Sequence, residues 1–233
     1  MTYILNIETT TKCCSVVLSF NNEIIALRES QSSYTHSENI TLFISEVIKN
    51  AGISFHIIDA IAISKGPGSY MGLRIGVSTA KGLCYALDKP LIAVDTLGAM
   101  ALKAATTTII EDDKALFCPM IDARRMEVYC ALFDSSTNCI TPVEAKIINE
   151  NSFENELEHS PVYFFGDGAS KCKVALKNHS NALFIDDYLM SADAIVPIAH
   201  KKFADNQFED LSYFEPFYLK DFIPGISIVK GLK

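Results

Sequence analysis

Two carboxylates, Glu8 and Asp122, each close an apolar run, Tyr3 to Ile7 and Phe117 to Ile121, in the two halves of the chain. Acids at matching strand ends of two lobes are the arrangement with which a phosphotransferase holds a nucleotide-bound metal. Between them lies Gly66-Pro67-Gly68-Ser69-Tyr70-Met71-Gly72, and such a turn ahead of a helix brings backbone N–H groups to a place where they can hold phosphate. These parts would suit an ATP-dependent kinase or carbamoyl transferase using Glu8, Asp122 and the Gly66–Gly72 loop. Other features oppose it. The turn lacks the Gly-Lys-Ser/Thr ending of a P-loop and the spacing of a dinucleotide site. Glu8 is followed by Thr9-Thr10-Thr11-Lys12-Cys13, whose β-carbons crowd any phosphate. Ser69 stands outside a GxSxG elbow with no histidine near it. His36, His56, His159, His179 and His200 contain no i, i+4 pair and no HExxH, so a helical zinc or iron site has no ligands. Arg124 and Arg125, between Asp122 and Glu127, have two uses: binding an anion or pairing with acids across a cleft.

The elements that must position these residues follow from periodicity. Tyr3–Glu8, Cys14–Phe20 and Ile24–Arg28 read as a β-meander with a hairpin turn at Asn21-Asn22. Thr35-His36-Ser37-Glu38 has the form of a capping box, followed by Ile40, Phe43, Ile44, Val47 and Ile48 at helical spacing and a stop at Gly52. Strand Ile61–Ser64, helix Leu73–Leu87 and strand Leu91–Val94 form a parallel crossover, so the sheet is mixed, and Thr96 is expected to cap a helix through Ala105. The second half repeats the plan with strands Phe117–Ile121, Glu127–Phe133 and Ile140–Lys146, around a turn at Asp134–Asn138. A helix at Phe153–Leu157, a strand at Val162–Phe165, and helices at Lys171–Leu176 and Ala192–Ala204 complete it, ahead of an extended tail at Pro216–Leu219. Two meanders, each followed by helices, give an α/β fold of the actin-like, duplicated ribonuclease-H type. It has two lobes with mixed sheets, residues 1–100 and a shortened 101–233.

The helix after the glycine turn is apolar nearly all round. Leu73, Val77, Ala80, Cys84 and Leu87 form one face, and Ile75, Gly76, Thr79, Leu83 and Ala86 fill much of the rest. One reading is burial under the preceding helix; the other is a docking surface where Gly76, Thr79 and Ala80 let a partner helix approach.

The 233 residues carry a formal charge of −8, which argues against direct grip on a nucleic-acid backbone and leaves any RNA contact to another chain. Seven cysteines without a CxxC pair, no export signal and no apolar run near the roughly 20 residues of a membrane span indicate a reduced, cytoplasmic chain.

The motifs Ile4-Leu-Asn-Ile-Glu-Thr-Thr10, His36-Ser-Glu38, the block Gly66 to Leu83, Asp95-Thr-Leu97, Asp122-Ala-Arg-Arg125, Glu127-Val-Tyr129, Gly166-Asp-Gly-Ala169 and Pro216-Phe-Tyr-Leu219 resemble the TsaB (YeaZ) family. One departure is Glu8, where the family usually has Asp. The resemblance implies a non-catalytic dimerisation subunit of the machinery that makes threonylcarbamoyladenosine in tRNA. It would pair with the larger catalytic paralogue TsaD and help recruit the ATPase TsaE, with tRNA met only through the complex. In TsaD two histidines at i, i+4 bind the catalytic metal; the matching positions here are Thr96 and Met100, so metal catalysis is expected to be absent and ATP and metal to sit on the partner subunits. By the same resemblance the partner surface falls on Thr35, His36, Glu38, Leu42 and Phe43 of the first helix and on Leu73, Arg74, Val77, Ala80 and Lys81 of the second. These helices would also serve a homodimer when the chain is alone. Val77→Asp is then expected to break the complex and spare the fold.

Overall fold

A computed structural model describes residues 1–31, 36–109 and 112–220. The first meander is β1 (Tyr3–Glu8), β2 (Cys14–Phe20) and β3 (Glu23–Ser30), with Asn21 and Asn22 at φ 49° and 72°, the left-handed pair that a two-residue hairpin requires. Next come α1 (His36–Asn50), β4 (Ala60–Gly66), α2 (Tyr70–Leu87), β5 (Leu91–Asp95) and α3 (Thr96–Thr107). The second half supplies β6 (Leu116–Asp122), β7 (Glu127–Cys130), β8 (Glu144–Ile147), α4 (Glu154–His159), β9 (Val162–Phe165), α5 (Ala169–Leu176) and β10 (Ala182–Phe184). A 3-10 turn (Ala192–Ile195) then leads into α6 (Val196–Ala204).

The duplication appears in the sheets themselves. One has the order β3-β2-β1-β4-β5, and the other β8-β7-β6-β9-β10 has the same order with the same parallel and antiparallel pairings. The β-pleat sorts the first sheet: Leu5, Ile7, Ile61 and Ile63 face α1 and α2, while Ile4, Ala60, Ala62, Ile92 and Val94 face the other way. That second face meets α3, Phe117, Ile121 and Phe165 of the second sheet, and Ile195 and Ala199 near the end of the chain, in one continuous core. The far side of the second sheet is closed by α4 and α5 through Leu157, Cys172 and Leu176.

Several boundaries differ from the sequence reading. The strand expected over Glu127–Phe133 stops at Cys130 because the Leu132 N–H turns to the Thr141 hydroxyl, 2.9 Å away, and the Asp134 carboxylate closes the next turn on the Ser136 and Asn138 amides. β8 accordingly begins at Glu144, and Phe133 keeps only isolated bridges to Phe117 and Cys139. β10 was not expected, being a three-residue edge strand too short for a pattern. Thr96 is not a cap: Asp95 holds that position, and the Thr96 hydroxyl instead accepts the Gly66 N–H at 3.1 Å. A division at residue 100 falls inside α3, and Met190 to Ala204 return to the first lobe, where they cover the second face of its sheet. Thr35 lies outside the described residues; α1 begins at His36 and is followed by Gly52 at φ 66°.

Candidate functional site

The glycine turn packs on one side against the β1–β2 loop. A Cβ at Gly68 would stand 2.4 Å from the Thr10 carbonyl oxygen, one at Gly72 1.9 Å from that of Thr9, and one at Gly76 2.2 Å from the Thr9 hydroxyl. These three glycines, four residues apart on α2 and its approach, form the groove that takes the β1–β2 loop. The Ser69 N–H donates to the Thr10 carbonyl at 2.7 Å, the Thr9 hydroxyl donates to the Gly72 carbonyl at 2.8 Å, and Ser69 caps the helix by accepting the Gly72 N–H. Thr9 and Thr10 thus fill the groove along the glycine row, while Thr10 and Gly68 to Gly72 also line the inter-lobe cleft. Gly76 is likewise spent on this internal contact and on Ile63 rather than on a partner helix.

The two acids do not share a site. Glu8 is completely buried beneath that loop, where Oε1 accepts from the Thr10 N–H and hydroxyl. Burial pushes its pKa up, opposed by the Ser64 hydroxyl and Thr10, and neither Oε2 nor the Ser64 oxygen has a closed hydrogen bond. Such an environment favours the neutral acid, a poor cation ligand. Asp122 lines an inter-lobe cleft of about 800 Å³. Burial raises its pKa, but the Lys171 ammonium, the Arg124 N–H and Lys12 outweigh this and hold it low. Lys171, placed by the sequence reading only as the start of a helix, supplies the side-chain partner of Asp122, and Arg124 supplies its backbone N–H. Asp167 beside it accepts the Asp122 N–H at 3.0 Å, and its own burial drives its pKa up. The residues present therefore do not fit a nucleotide-bound metal held between Glu8 and Asp122. Among the described residues, no group of three or more His, Cys, Asp or Glu is placed to hold a metal ion.

Thr96 and Met100 are both fully buried. The Tyr188 hydroxyl donates to the Met100 carbonyl at 3.1 Å, and its ring packs on Phe165, so an aromatic side chain closes the space beside these positions.

The expected partner residues divide by exposure. Glu38, Leu42 and Arg74 face solvent, Leu42 with 52% of its surface exposed. Phe43, Leu73, Val77 and Ala80 do not: they lie in this chain's own core, because α1 and α2 turn those faces to the sheet. His36 is also buried, with Nε2 2.9 Å from the Thr11 carbonyl oxygen, and Lys81 is half-buried, donating to the Phe214 carbonyl at 3.0 Å. Assigning these side chains to a partner surface is corrected on that ground, and Val77→Asp would place an unpaired carboxylate among Leu5, Ile61 and Cys84. The solvent face of α2 is instead Met71, Arg74, Ser78, Gly82 and Tyr85, with Met71 62% and Tyr85 84% exposed. Their 3-4-4-3 spacing was legible once the Gly68-Gly72-Gly76 row fixed the opposite face.

The tail lines the cleft through Phe217, Tyr218, Leu219 and Lys220. The Glu209 N–H donates to the Leu91 carbonyl, the Phe217 N–H to the Lys65 carbonyl at 2.7 Å, and Lys220 pairs across the lobes with Glu127 at 2.6 Å. The Tyr218 ring lies 5.0 Å from that of Tyr70, over which the Arg74 guanidinium sits at 5.5 Å.

A family model described as TsaD, tRNA N6-adenosine threonylcarbamoyltransferase, matches residues 28–221. The tRNA threonylcarbamoyladenosine biosynthesis protein TsaB of Escherichia coli is 29% identical over 223 residues, 94% of each chain. TsaB of Haemophilus influenzae is 36% identical over 126 residues, which span 54% of this chain and 51% of that protein. In structure, YeaZ from Pseudomonas aeruginosa superposes with a TM-score of 0.79 at 22% identity, over 94% of this chain and all of that one, and so shares the two-lobe actin-like fold. On the family model and the end-to-end likeness in sequence, the chain belongs to the TsaB (YeaZ) family.

Proposed function

We propose that this chain is a non-catalytic, cytoplasmic partner subunit in the formation of tRNA N6-threonylcarbamoyladenosine. It pairs through the solvent faces of α1 and α2 with a TsaD-like catalytic paralogue and helps recruit a TsaE-like ATPase, and ATP and metal sit on those partners. The observation that carries this reading is the exposed Met71 to Tyr85 stripe on α2, held facing outward because the opposite glycine row is packed against Thr9 and Thr10. Aromatic, Met and Arg side chains on an otherwise small-residue helix face are the composition of a docking surface. The net charge of −8 leaves tRNA binding to the complex.

Co-expression with the TsaD-like paralogue tests this. The wild-type chain is expected to co-purify as a stable complex, and Tyr85→Asp with Leu42→Asp to abolish it while the isolated variant keeps its melting temperature. Calorimetric titration of the isolated chain with ATP and magnesium is expected to give no heat of binding. Tight binding with turnover would replace the subunit reading by the kinase one.

A further inference from the structure

The segment from Asp210 to Lys220 touches three parts of the molecule at once. On α2 it receives the Lys81 ammonium at the Phe214 carbonyl and stacks Tyr218 on Tyr70. At the glycine turn the Phe217 N–H reaches Lys65, and the Phe217 carbonyl oxygen lies 2.8 Å from where a Gly66 Cβ would stand. On the second lobe Lys220 pairs with Glu127, whose neighbour Tyr129 lines the same cleft as Tyr218. Arg74, on the solvent face of α2, rests on the Tyr70 ring. Arg74, Tyr70, Tyr218 and the Lys220–Glu127 pair therefore form one line of contacts from the outer face of α2 to the second lobe.

We propose that this strap is a coupling device: seated by the Lys220–Glu127 pair, it holds Tyr70 and Arg74 in the geometry with which α2 docks the paralogous partner. This rests on the partner reading given above. The seat is weak by construction. Lys220 is 45% and Glu127 19% exposed in side chain, and such a pair is screened by salt. Leu211 and Phe214 anchor the strap's first half on the first-lobe core, whereas among the described residues its end at Phe217 is tied to the glycine turn by one backbone hydrogen bond, so release of that end costs little compared with unfolding. Linkage then works in both directions: whatever lifts the strap off the second lobe weakens partner docking, and partner docking seats the strap.

The test uses the full chain and the purified TsaD-like paralogue. In the isolated chain, Lys220→Ala and Tyr218→Ala are expected to speed amide exchange at Phe217 and leave β1 unchanged. In calorimetric titrations each should weaken partner binding by about tenfold, within the range of ordinary couplings. The swap Lys220→Glu with Glu127→Lys is expected to restore both readouts, which a merely structural role of either side chain would not produce. Faster exchange at Phe217 with unchanged affinity would overturn the coupling, as would exchange that does not respond to Lys220→Ala. Tyr85→Asp separates the two levels. If it abolishes binding while the strap variants do not alter affinity, the partner reading stands and the coupling falls; if it leaves binding intact, the partner reading itself falls.

Discussion

Glu8 has Oε1 committed to Thr10, while Oε2 and the buried Ser64 hydroxyl have no closed hydrogen bond. Its pKa is raised by burial, so the folded chain binds this proton at pH values where the unfolded chain, with an ordinary glutamate near 4.5, has released it. Stability from this group is complete below that ordinary value and is lost as pH rises through the raised one. Glu8→Gln keeps Oε1 as acceptor and presents an N–H to Ser64, so its stability should not fall over that window and should exceed the parent's above it. Urea unfolding at a series of pH values checks this; equal slopes for the two proteins would refute it. Gly72→Ala is the complementary case. Its Cβ would meet the Thr9 carbonyl at 1.9 Å, so the gain in helix propensity should be outweighed by overpacking of about 1–3 kcal/mol, read as a lower melting temperature. The position of Glu8 at a strand end was legible in the sequence; its isolation was not, because the loop above it is held down by glycines roughly sixty residues away.

At the scale of elements, α2 carries glycines with opposite meanings. Gly72 and Gly76 are contact positions, while nothing lies within 4 Å of a Cβ built on Gly82, which faces solvent. Gly82→Ala should stabilise the isolated chain by about 0.5–1 kcal/mol in thermal unfolding. If the outer face of α2 meets a partner closely, the same change should weaken the complex. The first meander, the β4-α2-β5 parallel crossover and the existence of α1, α2 and α3 could be read from period and turn residues. The phase of α2 could not be fixed that way: its sequence is apolar on too many sides, and only the Thr9–Thr10 contact decides which side is inward. For the same reason Val77 was legible as apolar but not as core. Its change to Asp should cost the fold itself, seen as loss of a cooperative melting transition.

For the whole molecule, the repeated meander with its paired acids made the duplicated plan readable, and the two sheets repeat one strand order. The division of labour between the halves was not readable, because the pattern of α6 shows that it is amphipathic but not which sheet it covers. α3 and α6 fill a core shared by both sheets, so the lobes should unfold together. Native-state exchange of β1 and β6 amides is expected to report the same opening free energy, and two separate values would refute it. The return of Met190 to Ala204 onto the first sheet also bears on synthesis. Ile4, Ala60, Ala62, Ile92 and Val94 are made first, yet Ile195 and Ala199, which help cover them, are made only after the whole second sheet. The nascent first lobe must therefore carry an incompletely covered apolar face until that stretch emerges, which makes it a client for a holding chaperone in the interval.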